Sequence, residues 1–240
     1  TVDVLTYLGE FTRNAISKGL TSNAQRAMVK IAPGIDIKHF IPTDATALRQ
    51  SLGVSERKVI VSVGRLVHRK GQDHLIQAMP EILKSVPSAH LLLVGEGPYR
   101  EHLQNLVKQH KLENSVTFIG RIQYNDLPMY ICAGDIFAMP CRSRLMGLEV
   151  EGLGIVYLEA SACGLPVLAG NSGGAPDAVV QNKTGLVVDG TDQKQIATAA
   201  IELLTNVESS QKMGIAGRQW IIDNWRWEIW SKDFENLLNK

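Results

Sequence analysis

Short, unbroken runs of β-branched and aliphatic residues alternate with helix-length segments through most of this 240-residue chain, and that alternation leaves few architectures open. Val59–Val63, His90–Val94, Val116–Ile119, Ile136–Met139, Val167–Ala169 and Gly185–Val188 read as strands. Between and after them, Gly71–Lys84, Tyr99–His110, Asn125–Ala133, Gln193–Thr205 and Ser209–Asn224 read as helices, with a short one near Pro176. Strands that are apolar at nearly every position, rather than every second one, are covered on both faces. Strand–helix–strand units of this length build a parallel sheet through right-handed crossovers. The expected fold is therefore α/β, a Rossmann-like doubly wound parallel sheet, with ligands at the carboxyl ends of its strands. Ahead of this pattern, Asp3–Leu8 and Ala27–Ile31 read as two further strands, with a short helix starting near Gly9–Arg13.

The loops at those carboxyl ends hold the chemistry. In Glu151-Gly-Leu-Gly-Ile-Val-Tyr-Leu-Glu159, two acids bracket Gly152 and Gly154 just where a helical pattern begins. Glycine allows close backbone approach, and the free N–H groups and dipole of a helix start favour an anion such as a diphosphate. Amides from Gly152, Leu153, Gly154, Ile155 and Val156 can hold phosphates there, while Glu151 and Glu159 accept hydrogen bonds from sugar hydroxyls. The bland reading is two solvated acids at an ordinary loop-to-helix junction. Gly64-Arg65 and Lys70-Gly71 follow the first strong strand and place two cations at the same edge. Arginine binds a phosphate bidentately and lysine as a point charge, and both can stabilise a departing diphosphate. A merely solvated basic loop is the alternative, and His68 and Arg69 read as surface residues. Gly95-Glu-Gly97-Pro98 has part of a dinucleotide fingerprint, but Arg100 stands in place of the third glycine, so a tight turn is the simpler role. Gly120-Arg121 follows the next strand and can set main chain against a base; Gly173-Gly174-Ala175-Pro176 is a further flexible turn.

Composition excludes more than it selects. Hydrophobic residues make up 45% and charged residues 20%, ordinary for a soluble globular protein, and the net charge of +1 gives no case for nucleic acid. Cys132, Cys141 and Cys163 lack metal-ligand spacing and read as buried reduced thiols of a cytoplasmic protein. No metal site, lipase-type serine motif, zinc-protease motif or phosphate-binding Walker motif is present. The terminal Trp225-Arg-Trp227-Glu-Ile-Trp230 concentrates apolar area and is expected to dock against something other than this core.

Taken in order, Pro33-Gly-Ile-Asp36 with Phe40, Gly64-Arg-Leu66 with Lys70-Gly71, Val94-Gly-Glu-Gly-Pro98, Phe118-Ile-Gly120, Asp135–Pro140, Glu151-x7-Glu159 with Ala162–Pro166, and Gly185-Leu-Val resemble one known set. It is that of the donor-binding, C-terminal half of retaining GT-B glycosyltransferases of the sucrose-synthase-like family 4. The run from Pro140 to Ala160, continued by Asn171–Asp177, is similar to the actinobacterial GDP-mannose-dependent mannosyltransferases of phosphatidylinositol mannosides. Leu145-Met146 departs from that subgroup, where small residues or glycine are expected.

The resemblance implies roles. Arg65 and Lys70 would hold the donor diphosphate, Glu159 the ribose and Glu151 the sugar hydroxyls, with Gly64, Gly95, Gly120, Arg121 and the 152–156 backbone completing the donor site. Arg65, Lys70 and Glu151 would be the catalytic set. Transfer would retain anomeric configuration by front-face attack, with no metal or other cofactor required and GDP-mannose, or another nucleotide sugar, as donor. The acceptor, lipid-linked or another glycan, would bind through an N-terminal domain. Residues 1–42 would then be the end of that domain and the hinge, 43–224 the donor domain, and 225–240 a terminal helix returning toward the N-terminal domain. On this account the chain is a piece of a longer protein, inactive in isolation, cytoplasmic, and peripheral at the inner face of the plasma membrane. Two other readings stay open: a UDP-sugar donor, and a nucleotide-sugar binding module without transfer. A dinucleotide-dependent oxidoreductase is favoured only by the fold and the Gly95/Gly97 turn. The oligomeric state is not fixed by these residues.

Overall fold

The computed structural model describes residues 3–239. A small unit comes first: β1 (Leu5–Tyr7), α1 (Glu10–Ser17), α2 (Ser22–Arg26) and β2 (Met28–Lys30), the two strands pairing in parallel. An extended segment then leads through α3 (Thr46–Ser51) into the main sheet. That sheet is built from β3 (Lys58–Val63), α4 (Gln72–Ser85), β4 (Ala89–Val94), α5 (Arg100–Gln109), β5 (Val116–Gly120), α6 (Leu127–Cys132), β6 (Ile136–Met139), α7 (Ile155–Ala162), β7 (Val167–Gly170) and β8 (Gly185–Val188). Three helices close the chain: α8 (Gln193–Thr205), α9 (Val207–Asn224) and α10 (Trp227–Leu238).

All pairings in the six-stranded sheet are parallel, and the strand order is β5-β4-β3-β6-β7-β8. The chain winds outward from β3 to one edge, returns to lay β6 beside β3, and winds outward again. This is the doubly wound, Rossmann-like arrangement expected from the alternation. Its order reverses between β3 and β6, so the loops after these two strands diverge and leave a crevice at their carboxyl ends.

Burial on both faces explains the unbroken apolar strands. Val59, Val61 and Val63 point into one layer with Phe137, Tyr157 and Ile221. Ile60 points into the other with Leu75, Leu91, Leu93 and Leu203. α8 begins at Gln193 because the Asp192 side chain accepts hydrogen bonds from the Lys194 and Gln195 amides, a standard N-cap. The helix expected from Asn125 starts at Leu127, because Tyr124–Asp126 tightens into a 3-10 turn first.

The terminal tryptophans correct one expectation. Trp225 is buried in the main core, with Trp220 and Trp230 at centroid distances of 5.6 and 6.0 Å. The Ile35 amide donates to the Trp225 carbonyl at 2.7 Å, which fixes the chain against the segment before α3. The Lys30 ammonium stands over the Trp225 and Trp230 rings at 5.1 and 5.5 Å. Trp227 alone of the three named above stays exposed, at 59%. The thiols differ too: Cys141 and Cys163 are buried as expected, but Cys132 is only half-buried.

Candidate functional site

The turn after β3 is held by one glycine. Gly71 has φ +75, and a Cβ there would lie 2.0 Å from the Pro140 carbonyl oxygen of the loop after β6. The two loops that diverge at the switch point thus touch, backbone to backbone, at their base. Gly71→Ala is expected to destabilise the fold by about 1–2 kcal/mol from the left-handed backbone alone, and by more if the loops must part. A melting temperature unchanged from the parent would show that this contact is not needed.

That contact brings Lys70 and Glu151 together. Lys70 Nζ lies 2.7 Å from Glu151 Oε2, and both residues are buried, at 9% and 7% exposure. Arg69 Nη1 approaches the same oxygen at 3.6 Å, and its nitrogen is closed off from solvent without a hydrogen-bond partner. The expectation of a surface residue is therefore corrected at Arg69: the 3-10 turn His68–Lys70 swings it inward beside Lys70. His68 is exposed, as expected, and stacks on Tyr99 at 3.8 Å.

The loop after β6 is locked around this pair. The Cys141 thiol donates to Glu151 Oε2 at 3.5 Å; burial pushes that thiol up to about 12, so it remains protonated as a donor. The Glu151 amide donates to Ser172 Oγ at 3.4 Å, and its carbonyl accepts from the Gly174 amide at 2.8 Å. Tyr157, fully buried, donates to the Met139 carbonyl at 2.6 Å and ties α7 to the end of β6.

A second ionic group, not anticipated from the sequence, braces the same loops. Arg142 binds Asp73 bidentately at 2.6 and 2.6 Å, and the Tyr99 hydroxyl donates to the same carboxylate at 3.0 Å. Burial acts to raise the Asp73 carboxyl, but the Arg142 bonds and charge outweigh it and hold it below the usual carboxylate range. Burial, followed by the Asp73 charge, pushes the Tyr99 phenol up to about 12. The Arg142 amide also donates to the Arg69 carbonyl at 2.9 Å, which ties the brace to the cationic turn.

Beside the ion pair opens a cleft of about 650 Å³, whose lining includes Gly64, Arg65, Gly95, Glu96, Arg121 and Tyr124. Arg65 and Arg121 are exposed on its walls. Gly95 lines the cleft, its amide donating to the Gly120 carbonyl at 2.8 Å. The Gly95–Gly97 turn clasps the β3 loop, its Glu96 carbonyl accepting from the Leu66 amide at 3.0 Å, in keeping with a tight turn.

Glu151, Gly152, Leu153 and Gly154 lead into α7, whose first residues are Ile155 and Val156. Glu159 lies one turn inside α7, half-buried, with no ion-pair partner among the described residues. Burial alone raises its carboxyl to about 7. The Tyr124 phenol is raised by burial and then by the charges of Glu159 and Asp36. Of the residues expected at the site, Gly64, Arg65, Gly95 and Arg121 line the cleft; Gly120 borders Gly95, Lys70 and Glu151 pair where the loops after β3 and β6 meet, and residues 152–159 run from Glu151 into α7.

A family model described as glycosyl transferases group 1 matches residues 44–220, most of the chain and all of the main sheet. The chain belongs to the glycosyl transferases group 1 family. It is 46% identical over 239 residues to a GDP-mannose-dependent alpha-(1-6)-phosphatidylinositol monomannoside mannosyltransferase of Mycolicibacterium smegmatis, covering 99% of this chain and 62% of that protein. It is 43% identical over 241 residues to a GDP-mannose-dependent monoacylated alpha-(1-6)-phosphatidylinositol monomannoside mannosyltransferase of Corynebacterium glutamicum, again with 99% and 62% covered. The chain therefore spans about 62% of the length of these relatives. Among solved structures, Anabaena HepE in complex with UDP and glucose superposes with a TM-score of 0.88 at 24% identity, over 99% of this chain and 63% of that one. At that identity the likeness concerns the fold.

Proposed function

We propose that this chain is the donor-binding part of a retaining mannosyltransferase that moves mannose from GDP-mannose to a phosphatidylinositol mannoside type of acceptor. One observation carries the reading: a buried Lys70–Glu151 pair, with Arg69 alongside, at the point where the strand order reverses. A buried cluster with more cations than carboxylates suits a diphosphate. Lys70 turns from Glu151 to the incoming phosphate, and Arg65 closes from the exposed wall. Glu151, freed from Lys70, accepts hydrogen bonds from the sugar hydroxyls. The first amides of α7 face the phosphates, Glu159 accepts from the ribose, and the base lies along Gly120 and Arg121.

In this scheme the cations stabilise the charge that develops on the departing diphosphate. A front-face attack, in which that phosphate takes the acceptor proton, retains configuration without a protein nucleophile. Residues 1–42 and 225–240 are read as the end of an acceptor domain with its hinge and as the helix returning to it; 43–224 is the donor domain. The names of the two relatives support the choice of GDP-mannose and of a lipid acceptor. Access to a lipid acceptor is proposed to be by peripheral contact; among the described residues no helix is long and apolar enough to cross a membrane.

Calorimetric titration tests the donor. GDP is expected to bind at least about tenfold more tightly than UDP, a difference of about 1.4 kcal/mol. Equal or tighter binding of UDP would remove GDP-mannose as donor while leaving a nucleotide-sugar site.

A further inference from the structure

The loop between β6 and α7 projects a short apolar finger beside the crevice. Its stem is pinned: the Arg144 amide donates to the Glu149 carbonyl at 2.8 Å, the Glu149 amide returns the bond at 3.2 Å, and the two side chains pair at 2.5 Å. Its tip, Leu145-Met146-Gly147-Leu148, carries no polar side chain. Leu145 is 63% exposed, Leu148 85%, and Met146 fully so.

Leu145 and Met146 also take left-handed backbone conformations, with φ +50 and +52. Such conformations are strained for residues with a Cβ, and glycine would relieve them. Two successive residues are thus unfavourable twice over, in backbone and in solvation, where glycine is better on both counts. Strain of this kind is held where the side chains themselves have work to do.

We infer that this finger is a membrane-contacting element that inserts its apolar tip into the interface of a phosphatidylinositol-containing bilayer. The inference rests on the lipid acceptor of the proposed function. An acceptor anchored in a bilayer can reach the donor only if the rim of the crevice approaches that bilayer. The finger stands on this rim, because its stem runs within two residues into Glu151. An apolar tip beside the partly exposed Arg144 has the layout of an interfacial anchor, with aliphatic groups in the acyl boundary and a guanidinium group at headgroup level. The partner of Arg144, Glu149, lies in the stem, and the tip itself carries no charge.

Vesicle flotation tests this with the whole chain. The parent protein is expected to float with phosphatidylcholine vesicles containing phosphatidylinositol. The double variant Leu145→Gly/Met146→Gly is expected to partition at least about tenfold more weakly, as removal of two inserted aliphatic side chains implies. Because it relieves strain, it should melt no lower than the parent and bind GDP equally well, so lost flotation cannot be ascribed to misfolding. Met146→Leu should float like the parent. A parent that does not float, or a double variant that floats equally, overturns the inference. So does a double variant that differs from the parent in sedimentation mass, which would assign the tip to contact between copies of this chain. Failure of GDP to bind would strike at the proposed function instead, and is read separately.

Discussion

Lys70→Ala is expected to weaken GDP binding about tenfold to a hundredfold, the loss of a charge-assisted contact of about 1.5–3 kcal/mol. Lys70 lies 2.7 Å from Glu151, so the substitution also leaves that carboxylate with Arg69, at 3.6 Å, as its remaining cation among the described residues. A buried charge deprived of its close partner destabilises the fold, and the melting temperature should fall. The two effects are separable by a double-mutant cycle. Adding Glu151→Gln to Lys70→Ala removes the stranded charge and should recover most of the lost stability, yet it cannot restore the cation that meets the phosphates. Stability that recovers together with GDP affinity would mean that Lys70 only balances Glu151, and the diphosphate would have to be placed elsewhere. Arg69 is unchanged in every variant of the cycle, so the difference in GDP affinity reports Lys70 itself.

The main sheet was legible because each of its strands is apolar at nearly every position and each is separated from the next by a helix-length or turn segment. Ile136–Met139, Gly185–Val188 and Gln193–Thr205 fall where the pattern puts them. The small helices α2 and α3 were not seen, since five or six residues give too little period to register. The position of Lys70 and Glu151 on neighbouring loops follows from topology: they are eighty-one residues apart in sequence, but β3 and β6 are adjacent. Arg69 and the Asp73–Arg142–Tyr99 brace escaped for the converse reason. A charged residue in a loop looks solvated until the opposing loop is known. Gly71 gave the one local sign that the loops would meet, because a turn of that shape admits a backbone carbonyl where a side chain would stand.

Glu159 is expected to bind donor and destabilise the empty protein by the same property. Its carboxyl is raised from an ordinary 4.5 to about 7 by burial, with no ion-pair partner among the described residues. Between those values the folded state holds a proton that the unfolded state has released. Stability therefore falls as pH rises through this window and is at its lowest above about 7. Ribose hydroxyls donate to the ionised form, so donor affinity runs the other way: it is greatest above about 7 and declines up to tenfold per pH unit below it. Glu159→Gln removes both dependences. At about pH 8 the variant should melt higher than the parent, by an amount on the order of 1–3 kcal/mol in stability, while binding GDP about tenfold or more weakly. In the parent, binding near neutral pH should release a proton, seen as an apparent enthalpy that changes with the ionisation heat of the buffer. A variant that melts lower at alkaline pH would show that the carboxylate has a partner in the empty protein. A parent whose GDP affinity is flat from about pH 6 to about pH 8 would remove Glu159 from the donor site.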